Sequence, residues 1–423
     1  MEIGILGAGI SGLCLAYKLE SLGFGNITIL EKDAEIGGLC KTKDINKYIF
    51  DISGGKVFNS KYGEVKKWIF SIFPKDEWKY QERHTKIAYK DSLINYPFEL
   101  NLKELPEKES IKCLVGYFES KNIKIKPKNF YEWIISNFGY SISRKYILPY
   151  NKKIWNYDLR KMDFRWVEGK MPIPGIEQIV SSIIKKDFKE KDMPHASFYY
   201  PLRGGVGSII NRINNNLKTT VRKNYEVQKI EKIKNKYVVN GDFKFDTIIS
   251  TMSIKDLIYA LEKTPEKIKG SADSLITNSI TTTICECDPN SLSWIYLPHK
   301  EIRTHRIVFQ GNFSPHNTPN KNKSSVIIET IGKIDPQKQL EEINNISVLK
   351  DFNIKNIIDS FYSPLAYVVF DKNHDKNLNM INAFLDELGI YRLGRFSERK
   401  YNNMDVCINN AFKMAENIFL KQK

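Results

Sequence analysis

The chain has 423 residues, 42% of them hydrophobic, six cysteines, and a formal net charge of +16 from 65 Lys and Arg against 49 Asp and Glu. A chain of this length buries a large core and divides into two or three domains. The positive charge is dispersed through a sequence rich in Lys, Asn and Ile, without a nucleic-acid-binding motif or an apolar run of membrane-spanning length, so neither a nucleic-acid partner nor stable membrane insertion is expected.

Ile3-Gly4-Ile5-Leu6 reads as an apolar strand, Gly7-Ala8-Gly9-Ile10-Ser11-Gly12 as a glycine turn opening a helix, and Ile27-Thr28-Ile29-Leu30-Glu31 as a second strand closed by an acid. In this G-x-G-x-x-G arrangement Gly7 serves the tight turn, Gly9 lets the backbone approach a pyrophosphate, and Gly12 lets helix and strand pack closely. The helix start, with Ser11, offers N–H groups and a positive dipole end to phosphates. Glu31 stands where a carboxylate accepts ribose hydroxyls, with Lys32 beside it. Ile36-Gly37-Gly38-Leu39 follows closely, and its paired glycines let the chain pass a bound phosphate and ribityl chain. The pattern is similar to the second fingerprint of the flavin amine-oxidase and desaturase superfamily, which favours FAD over NAD. Because the first strand begins so early, no signal peptide is expected, and a cytoplasmic location follows.

From Glu104 to about Lys191 the pattern is helical. One helix starts around Lys103-Glu104-Leu105-Pro106-Glu107 and another around Pro127-Lys128-Asn129-Phe130; Phe130, Trp133, Ile134 and Phe138 then recur at helical spacing. Tyr200 to Gly207 is a glycine-rich turn before a helix over Ser208–Leu217. Val221–Val227, Tyr237–Val239 and Phe245–Thr251 read as strands, a return of the cofactor domain. Alternating Thr, Ile and Val runs over 274–330 indicate an antiparallel sheet, with an exposed polar loop at Asn317–Ser325. A helix from about Met404 closes the chain. The cysteines (Cys14, Cys40, Cys113, Cys285, Cys287, Cys407) form no C-x-x-C and share no ligand spacing with the six histidines, so reduced thiols and no metal are expected.

Five blocks carry a more specific likeness: Tyr96-Pro97-Phe98-Glu99-Leu100 with Leu105-Pro106; Lys126 to Ile134; Pro149-Tyr150-Asn151-Lys152-Lys153-Ile154-Trp155; Ser293 to Pro298 with Arg306 and Asn312-Phe313-Ser314-Pro315; and Gly394-Arg395-Phe396 with Tyr401 and Asp405. In this order they resemble the UDP-galactopyranose mutases, in particular the eukaryotic-type branch. The resemblance implies a flavin enzyme that interconverts the pyranose and furanose rings of a nucleotide-diphosphate sugar. N5 of reduced FAD would be the nucleophile at the anomeric carbon, so no Ser, Cys or His triad is needed. NAD(P)H is a candidate reductant, and a homo-oligomer is left open.

The same resemblance implies site residues. Arg306 and Lys170 fall at the diphosphate-binding cations, the second an Arg-to-Lys departure that loses the bidentate fork. Tyr367 and Tyr401 match phosphate-binding tyrosines, and Phe313 replaces another. Lys56, in Gly54-Gly55-Lys56, stands where the family has a histidine near the flavin. Tyr96, Tyr146, Asn151 and Trp155 fall at uridine-site positions, and Trp294 and Tyr296 near the substrate. Glu99 replaces a glutamine that contacts uracil, which suggests a different base unless the side chain tips outward. Gly55, Val227, Arg395 and Asp405 join the glycine turns as cofactor contacts.

The fold expected is therefore α/β, a Rossmann-like FAD-binding domain (1–82, 196–252 and 385–423) with an inserted helical nucleotide-sugar-binding subdomain (100–195) and an antiparallel-sheet substrate domain (83–99 and 253–384). Two other functions stay open on the residues alone: a redox flavoenzyme of the amine oxidase or desaturase type, and a flavin-binding member degenerate at Lys56, Lys170 and Phe313. On the mutase reading the product would feed surface-glycan assembly.

Overall fold

The computed structural model describes residues 1–122, 126–168, 170–184 and 196–422. The expected motif residue Gly169 and the end of the expected helical stretch, 185–195, lie outside the described residues.

The strand Ile3–Leu6 is buried at every position, as a run of aliphatic residues in a covered parallel sheet must be. It forms the middle of a five-stranded parallel sheet ordered Tyr391–Arg392, Thr247–Ser250, Ile3–Leu6, Ile27–Leu30, Val221–Arg222. The helix Ile10–Ser21 follows the glycine turn and packs beside the C-terminal helix Met404–Leu420. Their shared core, with Leu13, Leu15, Ile408 and Ala411, is fully buried. The expected strand over Val221–Val227 is shorter than its sequence suggests. It ends at Arg222, because Asn224 turns in the left-handed region (φ +56°) and Tyr225 N–H donates to the Glu31 carbonyl at 2.8 Å.

A second sheet of seven strands is ordered Lys355–Val368, Thr277–Cys287, Ser324–Ile331, Arg306–Val308, Trp294–Tyr296, Thr85–Tyr89, Ser92–Asn95. All its pairings are antiparallel except that of Trp294–Tyr296 with Thr85–Tyr89. Its register puts Tyr296 opposite Arg306 and Arg306 opposite Glu329, so three polar side chains share one row of one face. The polar stretch at 317–325 is not wholly an exposed loop. Asn317 is buried, its amide donating to the Gln310 carbonyl at 2.8 Å, and Ser324 and Ser325 already belong to the strand.

The helices Glu107–Asn122, Phe130–Ile142, Leu148–Trp155 and Ile176–Ile184 enclose a separate core in which Phe130, Trp133, Ile134 and Phe138 are all buried. Asn129 caps the second of these. Its side chain accepts the Glu132 N–H at 2.9 Å, while the Glu132 carboxylate accepts the Lys128 N–H at 2.9 Å and a side-chain N–H of Asn129 at 2.8 Å, which ties the helix start together. All six cysteines are buried and unpaired with one another. Among the described residues no helix is long and apolar enough to cross a membrane, and no cluster of His, Cys, Asp and Glu could hold a metal ion.

Candidate active site

The first part of the site is built by backbone. Gly7 adopts φ +110°, and a Cβ there would strike Thr251 Oγ1; a Cβ on Gly12 would strike the Gly7 carbonyl. Gly37 N–H donates to the Ala8 carbonyl at 2.9 Å, which brings the two glycine turns side by side. A Cβ on Gly38 would lie 3.4 Å from the Gly9 Cα, and the φ of +55° at Gly38 is one that favours glycine. The helix after Gly9 has no side-chain cap and no acid in its first turn, leaving its N–H groups free to meet an anion. Glu31 is buried at the end of its strand, where its carboxylate accepts the Ala8 N–H at 2.7 Å and the Asp33 N–H at 3.0 Å. Lys32 beside it is exposed, Leu39 and Val227 are half-buried, and Ser11 faces Gly394, whose missing Cβ makes room for its hydroxyl. Asp405 is buried at the start of the last helix. Bare glycines, an open helix start and an acid at the strand end are a donor set that fits a dinucleotide.

The loop Ser53 to Lys56 joins this cradle to the large sheet. Lys56 Nζ donates to the Ser53 carbonyl at 2.7 Å and to the Gly54 carbonyl at 3.2 Å. Burial pushes its ammonium below the usual lysine range, against the pull of Cys40, Asp51 and Glu329. Behind it, burial lifts the Asp51 carboxyl to about 6 although Thr42, Tyr200 and the Val206 N–H all donate to it. The Gly55 N–H donates to Glu329 Oε1 at 3.0 Å.

Glu329 in turn holds Arg306: Nε donates to Oε2 at 2.8 Å and Nη2 to Oε1 at 3.0 Å. Burial works against the carboxylate charge, but Arg306 and His305 overrule it and take Glu329 down to about 2. The Arg306 side chain keeps 20% of its surface, and the phenols of Tyr367, Tyr150 and Tyr296 lie close to it. Neither Glu329 nor Tyr150 was expected from the sequence. A signal existed for both: a lone acid in the aliphatic strand Val326–Ile331, and a tyrosine four residues after Tyr146 on the same helical face.

Around Arg306 the aromatic residues form a connected wall. Tyr367 and Tyr401 stack at 6.0 Å with 8° between planes, and Trp155 stands edge-on to both at 6.2 and 6.4 Å. Lys170 Nζ lies 5.1 Å over the Tyr401 ring and donates to the Tyr401 carbonyl at 3.3 Å, while the Arg395 guanidinium sits 5.0 Å from that ring. Arg395 is anchored by two bonds to the Asn402 carbonyl. Tyr150 meets Tyr296 at 4.9 Å and stacks with Tyr146 at 5.7 Å; Tyr146 stacks on Phe98, and Tyr296 meets Tyr96 at 5.5 Å. Asn151 accepts from Trp155 Nε1 at 3.0 Å and donates to the Ile147 carbonyl, which fixes both side chains. Arg83 is buried, 4.8 Å over the Tyr96 ring and 5.8 Å over that of Trp294, another residue the sequence did not mark.

Two of the expected residues deserve separate placement. Phe313 is 1% exposed and packs between Phe198 and Tyr200 in the core beside the cofactor cradle, apart from the tyrosine wall. Glu99 does not tip outward: it is 6% exposed, and burial raises its carboxyl to about 7.

Residues 5–70 match the family model of an NAD(P)-binding Rossmann-like domain. Among curated proteins, 50 residues are 42% identical to protoporphyrinogen oxidase 2 of Arabidopsis thaliana, covering 12% of this chain and 10% of that protein. A further 52-residue match, 44% identical, is to an uncharacterized protein in the nifH2 3′ region of Methanothermococcus thermolithotrophicus, covering 12% of this chain and 49% of that protein. The chain thus matches half or less of the length of these relatives. Among solved structures, a reduced UDP-galactopyranose mutase superposes with a TM-score of 0.89 at 22% identity, covering 100% of this chain and 94% of that one. A protein from Exiguobacterium sp. 255-15 assigned as a protoporphyrinogen oxidase gives 0.75 at 15% identity, covering 100% and 99%. A fatty acid isomerase from P. acnes that produces CLA gives 0.69 at 12% identity, covering 99% and 98%. At these identities the likeness is one of fold.

Proposed function

We propose that the chain is a flavin-dependent mutase of the UDP-galactopyranose mutase type, eukaryotic-type branch, acting on a nucleotide-diphosphate sugar. The observation that carries this reading is the setting of Arg306, a half-sheltered guanidinium ringed by Tyr150, Tyr296 and Tyr367 and tied through Glu329 to the loop bearing Lys56. A diphosphate leaving group needs such partners; an amine or an alkene does not. When bound, reduced FAD would supply through N5 the nucleophile for the anomeric carbon, and NAD(P)H could reduce it.

The protein's part is positioning and charge. Gly7, Gly9, Gly12 and Gly38 admit the cofactor's phosphates, Ser11 lines their approach, and Glu31 receives its ribose. Gly55, Leu39, Val227, Lys32, Arg395 and Asp405 complete the cofactor contacts. Lys56 supplies positive charge beside the flavin, which favours its anionic reduced form. Arg306 and Lys170 hold the diphosphate from two sides, with Tyr367 and Tyr401 as hydroxyl donors. Tyr96, Tyr146, Asn151, Trp155, Trp294 and Tyr296 shape the nucleoside and sugar end. The division into a cofactor domain (1–82, 196–252, 385–423), a helical subdomain (100–195) and a sheet domain (83–99, 253–384) belongs to the same proposal. So do a cytoplasmic location and a role in supplying furanose units for surface glycans.

The oxidase reading draws on the curated match to a protoporphyrinogen oxidase, which lies in a short segment and so bears on the cofactor, not the reaction. The two readings part on ligand binding. Nucleoside diphosphate should perturb the flavin spectrum of the wild-type protein and not of Arg306→Ala. An unperturbed spectrum at millimolar nucleotide, with reduction of the flavin by an amine, would favour the oxidase.

A further inference from the structure

The helices Glu107–Asn122 and Phe130–Ile142 carry a surface apart from the site at Arg306. They approach backbone to backbone: a Cβ on Gly139 would strike the Gly116 carbonyl, and Gly139 breaks its helix at φ +71°. Val115 and Tyr140, next to these glycines in the chain, are 47% and 55% exposed, and Ile111, one turn before Val115, is 53% exposed. Together with Ile135 they line a groove of about 410 Å³, which contains one acid, Glu119.

A second cavity, of about 520 Å³, adjoins the groove, and Lys112, Tyr140 and Ser141 line both. Its charge is one-sided. Lys90, Lys112, Arg144, Lys145 and Lys300 line it against the single acid Glu301. Glu109 pairs with Lys90 and Lys145. Lys112, Arg144 and Lys300 are exposed and have no acidic partner among the described residues; Arg144 donates to the Tyr140 hydroxyl at 2.8 Å. None of the residues assigned above to the cofactor or the substrate lines either cavity.

Aliphatic and aromatic residues exposed together beside unneutralised cations call for a partner with both chemistries. A nucleic acid would cover the cations and leave Ile111 and Val115 in water. An anionic bilayer meets both halves: its phosphates lie at the surface, hydrocarbon lies just beneath, and tyrosine suits the boundary between them. We propose that this face docks the protein reversibly on an anionic lipid bilayer. Lys112, Arg144 and Lys300 then meet lipid phosphates, while Ile111, Val115 and Tyr140 enter the boundary of headgroup and acyl chain. The docking is peripheral, since no described helix is long and apolar enough to cross a membrane. It is independent of which flavin reaction the site at Arg306 performs.

The experiment is sedimentation of the purified 423-residue chain with vesicles of phosphatidylcholine alone and of phosphatidylcholine mixed with phosphatidylglycerol. The wild type should bind the mixed vesicles only, and added salt should weaken the binding. Lys112→Ala combined with Lys300→Ala should weaken it roughly 5-fold for each lysine. Ile111→Ser combined with Val115→Ser, which leaves the charge unchanged, should weaken it roughly 10-fold. Lys244→Ala combined with Lys263→Ala removes the same charge at exposed lysines that line neither cavity, and should bind like the wild type. All six side chains are exposed, so the melting temperature should not move. Absence of binding to the mixed vesicles, or equal loss from the two lysine pairs, overturns the inference. So does a wild-type dimer in analytical ultracentrifugation that Ile111→Ser with Val115→Ser dissociates, because a second copy then covers the apolar face.

Discussion

Arg306 and Glu329 face each other directly across adjacent antiparallel strands, and Glu329 accepts the Gly55 N–H from the loop of Lys56 with the same oxygen that accepts Arg306 Nη2. One buried carboxylate therefore aims the cation proposed to hold the diphosphate and pins the loop proposed to face the flavin. Removing Arg306 would strand that charge in the sheet. Arg306→Ala should cost about 3 kcal/mol or more of stability, besides losing nucleotide affinity. Urea unfolding of the variant checks the first effect; unchanged stability would mean that the pair carries none of the sheet.

The pair also sets a response to acid. Glu329 sits at about 2 in the folded chain against an ordinary 4.5, so the unfolded state binds more protons between these values. Its contribution is complete above the ordinary value and is lost as pH falls toward about 2. Glu329→Gln should flatten the acid limb of the melting temperature measured against pH. An acid limb identical in variant and wild type would contradict the assignment.

Gly9 and Gly12 are expected to fail in different ways. A Cβ at Gly9 has nothing nearer than the Gly38 Cα at 4.0 Å, whereas one at Gly12 strikes the Gly7 carbonyl. Gly12→Ala should lose about 1–3 kcal/mol through overpacking. Gly9→Ala should keep its apoprotein melting temperature but retain little flavin, since the new methyl group fills the gap between the two turns. Absorbance of the purified proteins near the flavin bands, with melting of the apo forms, separates the two.

Lys170 is poised over the Tyr401 ring yet open to solvent, so its loss should be felt by the ligand rather than by the fold. Lys170→Ala should bind nucleoside diphosphate roughly 10-fold more weakly, with stability within about 0.5 kcal/mol of wild type. Lys170→Arg, which restores a fork, should bind more tightly than wild type. A weaker Lys170→Arg would show that the guanidinium does not fit beside Tyr401.

What was legible in the sequence was what short-range physics dictates. The cofactor cradle is written in glycines a few residues apart, where a turn, a close approach and a helix start leave no other choice. The helical core around Phe130, Trp133 and Phe138 is written in spacing. Long-range register is not local in this way: nothing near Arg306 in the sequence announces that Glu329 will sit opposite it, or that Arg83 will lie between Tyr96 and Trp294. The strand from Val221 is shorter than the alternation of Val221, Tyr225 and Val227 suggests, because Asn224 turns the chain and Tyr225 donates to the Glu31 carbonyl. Phe313 and Glu99 show the remaining limit. A motif gives their positions along the chain, but only packing decides that one is buried among Phe198 and Tyr200 and the other beside Tyr146.

The central claim is that this protein rearranges the sugar ring of a nucleotide-diphosphate sugar without net redox change. It is tested most directly by NMR of the anomeric region during incubation of the FAD-loaded protein with a panel of GDP- and UDP-pyranoses, with and without dithionite. The account predicts a furanose product from at least one of them, formed only with reduced flavin. A flavoprotein that converts none of the panel in either state, yet consumes oxygen with an amine or an alkene, would contradict it.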